Sequence, residues 1–305
     1  MGEFERDLET YRRELIAHCY RMVGSVDDAE DLVQETYLRA WRAQDGFEGR
    51  SSLRSWLYRI ATNVCLTAVA KRGRRVLPSG LGAPGDDPLA PVAVAGPEVE
   101  WLQPIPDALV FSDDPAAVAV RRDSTRLALI ASLQFLPPRQ RAVLLLRDVL
   151  AWRAAEVAAA LDMSVAAVKS ALQRARATLA RVTPEQVTTP PAQARAVLER
   201  YVKAFENSDA AALERLLTED AVLEMPGVRT WFSGRATCMP HLVAQALESP
   251  GDWRMTPAAA NGQPAAVAYL RGEPYAVAVL TPSGPRLARI AVFADPGVVA
   301  RFIGP

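Results

Sequence analysis

The sequence predicts a multidomain chain, two all-α modules followed by an α+β domain, and three observations carry that expectation. Residues 4–75 and 118–182 repeat apolar side chains at about 3.6 residues per turn, the spacing of an amphipathic helix. A Pro- and Gly-rich stretch without that period, 76–117, separates them. From 190 to 305 two helical segments, the second capped by Asp209, give way to short apolar runs bounded by Gly, Pro and Asn, the pattern of an antiparallel sheet. A chain of 305 residues is also too long for one core.

In the first module the strongest segment is Asp27 to Ala43, "DDAEDLVQETYLRAWRA". Leu32, Val33, Tyr37, Ala40 and Trp41 are its expected apolar contacts, with Asp31, Gln34, Glu35 and Leu38 bordering or leaving that stripe. From Ser51 to Arg75, Leu53, Leu57, Ile60, Val64 and Ala68 form a second stripe, and a basic cluster ends the helix. Trp56 is expected in the core. Asp114 followed by Pro115 resembles an N-cap with proline at the first helical position and opens the second module.

Within that module, "WRAAEVAAALDMSVAAVKSALQRARATLA" supplies a short helix from about Ala154 to Leu161, a tight turn through Asp162 and Met163, and a longer helix capped by Ser164. Val165, Val168, Leu172, Ala175 and Leu179 share the expected inward side. The outward side is slim at first (Ala166, Ser170) and later carries Gln173 and the cationic Arg174, with Lys169 and Arg176 on the flanks. A solvated surface helix could look the same in isolation. Two short helices across a tight turn predict helix-turn-helix instead, in which small N-terminal residues let the second helix enter a DNA groove and later cations reach phosphates. A further helical start, with Thr183, Pro184 and Gln186 as a capping box, is expected at the module's end.

Charge supports the division. Net charge is zero, yet Val118 to Val182 holds eleven Lys or Arg against four Asp or Glu, and Val76 to Ala117 holds seven acidic residues and no basic one. Cys19, Cys65 and Cys238 form no CxxC pair and the chain has only His18 and His241, so neither metal, cofactor nor disulfide framework is expected. No apolar run approaches the roughly 18 residues of a membrane span, and the N-terminus has no apolar signal core, so a cytoplasmic protein with no membrane partner is expected.

The Asp27 to Trp41 segment, "FEGRSSLRSWLYRIATN" and "LPPRQRAVLLLRDVLAWRAAEVAAALDMSVAAVKSALQRARATL" resemble, in the right order, the two blocks of bacterial sigma-70 family factors of the extracytoplasmic function (ECF) group. The resemblance implies a sigma-2 domain at 4–75, an acidic linker at 76–117 and a sigma-4 domain at 118–182, with core RNA polymerase and promoter DNA as partners. It implies that Asp31, Gln34, Glu35 and Leu38 bind the polymerase clamp. It implies that Phe47, Arg50, Ser51, Ser52, Tyr58, Arg59 and Asn63 read the downstream promoter element, and that Ser164, Lys169, Ser170, Arg174 and Arg176 serve the upstream one, with Arg141, Arg147, Arg153 and Arg176 expected on phosphates. Ala166-Ala167 and Ala171 depart from the Gly-Thr and the basic residue common in that family, and Asp162 stands where its turn often has Gly.

In the same family the acidic linker threads the polymerase, disordered when free and ordered when bound. The tail, 190–305, resembles SnoaL-like domains through "YVKAFENSD", "LLTEDAVLEMP", "ANGQPAAVAYL" and "FADPGVVARFIG". That likeness implies a curved α+β cone around an apolar pocket, expected to regulate the sigma domains by docking on them or on the linker. Its polar candidates are Asp220, Glu224, Tyr201, Arg235, His241 and Tyr269, with no catalytic pair among them. An anti-sigma protein or a small-molecule ligand of the tail are further candidate partners. The rival reading is a SnoaL-type isomerase or hydrolase with a regulatory helical half.

Overall fold

The computed structural model describes residues 8–47, 52–111, 124–182 and 189–303. They form two compact units, residues 1–75 with 108–184, and 76–107 with 185–305. Each is built by the local chemistry of its own segments. The expected helical starts at Asp114 and at Thr183 lie outside the described residues.

In the helical unit, α1 (Arg12–Val23) stops where Gly24 takes a left-handed conformation, φ 73°, its N–H donating to the Tyr20 carbonyl at 2.7 Å. The Ser25 hydroxyl then caps α2 (Val26–Arg42) by accepting from the Asp28 N–H, and Ser52 caps α3 (Leu53–Val69) through the Ser55 N–H. Leu15, Ile16, Cys19, Tyr20, Leu57 and Cys65 bury the inner faces. Leu53 and Ala68 are only partly buried. Trp41, expected inside, is 56% exposed on α2, because the buried stripe there runs Val26, Ala29, Val33, Thr36 and Ala40.

The second set of helices is α4 (Leu127–Leu133), α5 (Pro138–Leu144) passing into a single π turn, α6 (Ala154–Leu161) and α7 (Val165–Val182). Arg141 on α5 is buried. It donates to the carbonyl of Met22 on α1, to Gln134 Oε1 at 2.8 Å and to the Leu136 carbonyl at 3.2 Å, and burial lowers its pKa to about 10. A guanidinium so enclosed is held by carbonyl oxygens and fastens α5 to α1.

The sheet unit opens with α8 (Pro191–Glu206), which buries Val197, Leu198, Tyr201, Ala204 and Phe205 on one stripe. The Asp209 carboxylate caps α9 (Ala210–Leu216) from the Ala212 N–H at 2.9 Å, as its sequence position predicts. Then come β1 (Leu217–Glu224), β2 (Phe232–Ser233), α10 (Arg235–Gln245), β3 (Trp253–Ala260), β4 (Gln263–Leu270), β5 (Glu273–Ser283), β6 (Arg286–Phe293) and α11 (Pro296–Ile303). The strands join in the order β2-β1-β6-β5-β4-β3, all antiparallel except β1 beside β6. Alternate residues Ala266, Ala268, Ala278 and Leu280 meet α8 and α10 residues in one core. The α11 segment packs on β5 and β4 and buries Val298 and Val299.

Residues 76–107 belong to this sheet unit. Seven prolines limit them to short turns, one of them at Pro78–Gly80, and a single bridge between Val76 and Trp101, so the cone takes up many of their remaining polar groups. The Ser79 N–H donates to Glu224 at 2.9 Å, the Gly85 N–H to the Trp231 carbonyl at 2.8 Å, and the Ala93 N–H to Thr230 Oγ1 at 2.9 Å. Trp231 Nε1 returns a bond to the Gly82 carbonyl, and Ile105 exchanges two bonds with Asn261. The stretch expected to be disordered when free is thus a strap fixed along the cone.

Two outcomes are expected. His18 is buried against Thr62 Oγ1 (2.9 Å) and edge-on to Tyr58 (5.1 Å), and burial, with a smaller push from Arg21, holds its pKa at about 3 instead of 6.5. The neutral ring is the folded form, so its contribution is complete above pH 6.5 and is lost as pH falls towards 3, on the order of 5 kcal/mol in all. Thermal melts from pH 7 downward should fall less steeply for His18→Gln than for the parent. In the strap, a Cβ on Gly85 would stand 3.2 Å from Thr230 Cγ2 and 3.3 Å from Phe232 Cε1. Gly85→Val should therefore speed amide exchange at Ala93 and Ala95 while the cone's melting moves little.

Candidate functional site

The turn before α7 works because Asp162 adopts a left-handed conformation, φ 51° and ψ 58°, which a short polar side chain tolerates. The Met163 N–H closes back on the Ala158 carbonyl at 2.9 Å. Ser164 Oγ then accepts from the Ala167 N–H at 3.1 Å, starting α7. Val168, Ala171, Leu172 and Ala175 bury the inner face, so the buried stripe includes Ala171 and leaves Val165 exposed, contrary to expectation. Ala171 could not carry a basic side chain without unpacking this face.

Ser164, Ala166, Lys169, Ser170, Gln173, Arg174 and Arg176 all lie on the exposed side. Lys169 and Arg174 have no side-chain partner among the described residues. Arg176 is held in a forked pair by Asp148, at 2.7 and 3.0 Å. The other phosphate candidates need correction. Arg141 is buried, and Arg147 donates to the Trp152 carbonyl, shaping the loop into α6. Arg153 remains exposed, paired with Glu156 at 2.9 Å. Cationic residue type alone could not separate fastening guanidiniums from exposed ones.

On α2, Asp31, Gln34 and Leu38 are exposed, and half-buried Glu35 receives Arg39 Nε at 2.7 Å. Trp41 joins them, since positions 31, 34, 38 and 41 follow one helical stripe. Sequence reasoning missed it by counting a large aromatic as core. Two apolar side chains, 50% and 56% exposed, thus stand beside an acid and an amide.

Ahead of α3, Phe47 lies 4.9 Å from the Trp56 ring, and Trp56 is buried as expected. Arg50 and Ser51 lie outside the described residues. Ser52 is exposed while capping α3, and Arg59 and Asn63 are exposed on it. Tyr58 is not on that surface: it is buried, its hydroxyl 3.0 Å from Glu14 Oε2, and burial and the Glu14 charge raise its pKa. Ser52 and Arg59 line a cleft of about 590 Å³ whose opposite wall includes Trp152 and Arg153.

The polar candidates of the cone do not converge. Glu224 is fully buried, paired with Arg289 and with the Ser79 N–H, while Asp220 points to solvent. Arg235 is 4.0 Å from Glu219, and Tyr269 lies under Arg254. Only Tyr201 and His241 line the cone's cavity. Among the described residues no helix is long and apolar enough to cross a membrane.

Comparison with known proteins agrees with this layout. Residues 8–75 match Sigma-70 region 2, residues 126–179 match Sigma-70, region 4, and residues 198–294 match a SnoaL-like domain. The chain is 49% identical over 311 residues to the ECF RNA polymerase sigma factor SigG of Mycobacterium tuberculosis (strain ATCC 25618 / H37Rv), covering 99% of this chain and 84% of that one. It is 29% identical over 174 residues to the ECF RNA polymerase sigma factor SigW of Bacillus subtilis (strain 168), covering 56% and 84%. Among solved structures, the Mycobacterium tuberculosis extracytoplasmic function sigma factor SigJ shares the fold, with a TM-score of 0.62 and 23% identity over 96% of this chain and 97% of that one.

Proposed function

Because the chain belongs to the ECF group of sigma-70 family RNA polymerase sigma factors, we propose that α2 docks on core polymerase, α7 reads the upstream promoter element, and the cone sets the activity of both. The observation that carries this reading is the pairing of two exposed faces in one helical unit. One is a mixed acidic and apolar stripe, Asp31, Gln34, Leu38 and Trp41; the other is a slim, then cationic, helix face. The acid and amide of the α2 stripe suit a basic polymerase surface, and Leu38 with Trp41 supply apolar area to bury there. On α7, Ser164 and Ala166 leave room for bases, Lys169, Ser170 and Arg174 reach base edges or the backbone, and Arg176 can exchange Asp148 for a phosphate. Phe47, Ser52, Arg59 and Asn63 remain the surface for the unstacked downstream strand, with Arg50 and Ser51 in the same loop by sequence.

The protein acts as a cytoplasmic, non-enzymatic initiation factor. Among the described residues the cone's polar candidates do not converge as an acid and base, and its hold on the strap joins it to the segment between the sigma modules. A coupling of about 1–3 kcal/mol through that strap would alter the competent fraction roughly 5- to 150-fold.

Glu35→Arg and Trp41→Ala should each weaken binding to core polymerase in a titration, with helical content unchanged. Equal affinity in both would remove α2 from the interface. Lys169→Ala or Arg174→Ala should lower discrimination between matched and scrambled upstream elements by about 1–3 kcal/mol, whereas Arg176→Ala should weaken all sequences alike and reduce the salt slope by about one. For the cone, Gly85→Val should change promoter output several-fold at constant core affinity. Unchanged output would favour a substrate screen of the enzymatic reading.

A further inference from the structure

The cone encloses a cavity of about 690 Å³, within the size range of sites for small organic molecules. Tyr201, Phe205, Trp253 and Met255 give it large apolar walls, and Ala268 and Ala276 keep the sheet side low. Among the described residues its lining contains no Asp, Glu, Lys or Arg. The buried carboxylate of Glu224 is already engaged by Arg289 and Ser79, and Trp253 Nε1 donates to the Ala246 carbonyl at 2.8 Å. A charged guest would give up its hydration and meet no opposite charge.

The polar residues of the lining are uncharged amide, phenol and imidazole groups, Gln245, Tyr201, Tyr275 and His241, and His241 is the one tied to the strap. Its Nδ1 is 3.0 Å from the Pro88 carbonyl, which can only accept, so the neutral ring carries its proton on Nδ1 and leaves Nε2 as an acceptor. Pro88 belongs to the strap, and the next four residues, Leu89 to Val92, complete the lining of the cavity. The strap is anchored before this arch by the Gly85 amide and after it by the Ala93 and Ala95 amides.

We infer that the cavity is a binding site for an uncharged, predominantly apolar small molecule, and that strap residues 89–92 sense its presence. Binding stands independently of the regulatory reading above; only its consequence for transcription rests on that reading. Full-length chain titrated with Nile red, a neutral apolar dye, should show a saturable rise in fluorescence. Neutral 2-naphthol should displace the dye, and anionic 2-naphthoate should need about tenfold more or higher. Ala268→Trp and Ala276→Phe, which fill the cavity, should weaken the dye by about tenfold or more, to be judged in whichever melts like the parent. Leu89→Asp and Val92→Asp place a carboxylate on the strap without entering the sheet core and should also weaken it.

Dye saturation should change amide exchange at Gly85, Ala93 and Ala95. Absence of saturable binding, equal displacement by naphthol and naphthoate, or parent-like affinity in both strap variants overturns the site. Binding without any change at Ala93 and Ala95 overturns the sensing role. A change there with promoter output unmoved leaves this inference standing and sinks the regulatory reading instead.

Discussion

The backbone of residues 76–107 satisfies only part of its hydrogen bonding through its own short turns and the Val76–Trp101 bridge, and much of this protein's organisation follows from where the rest is satisfied. Seven prolines remove donors and prevent any long regular helix, so many of the amides and carbonyls left over seek partners elsewhere. The cone provides them through Glu224, Thr230, Trp231 and Asn261. A segment that would be a passive tether in composition becomes part of another unit's surface. The chain leaves the helical unit after Arg75, runs along the cone and returns at Ala108, so the sheet unit is assembled from two separated stretches of sequence.

The helical unit uses buried polar groups in a related way. His18 is kept neutral by its surroundings and bonded to Thr62, and Arg141 is surrounded by carbonyl oxygens of Met22, Gln134 and Leu136. Either group left unpaired would be costly in a core, so both positions specify one packing of helices. The faces proposed for recognition carry no such burden. Lys169 and Arg174 extend into solvent, and Leu38 and Trp41 are left open on α2, a cost in exposed apolar area that a macromolecular partner can offset.

Much of this was legible beforehand. Helical spacing located α2, α3, α6 and α7 and placed Val168, Leu172 and Ala175 inward; Asp209 announced α9; short apolar runs marked β3 to β6. The failures share one cause. Trp41 was counted as core, Tyr58 as surface, and Arg141 as a phosphate ligand because residue type sets only an average burial, whereas the side on which a residue falls depends on which neighbours arrive. In the cone, sequence spacing offered six polar candidates, but only Tyr201 and His241 reach the cavity.

By itself the sequence determined the elements and the surfaces of individual helices: periodicity fixes which side of an isolated helix is apolar, caps fix where it starts, and small residues followed by cations fix what α7 can admit. The tertiary structure decided which chain segments belong together. Placing residues 76–107 on the cone requires Ser79 to find Glu224 and Ile105 to find Asn261, partners about 150 positions away along the chain. No local period encodes such a pairing, because it arises from backbone groups that every residue shares and from the shape that distant strands present to them.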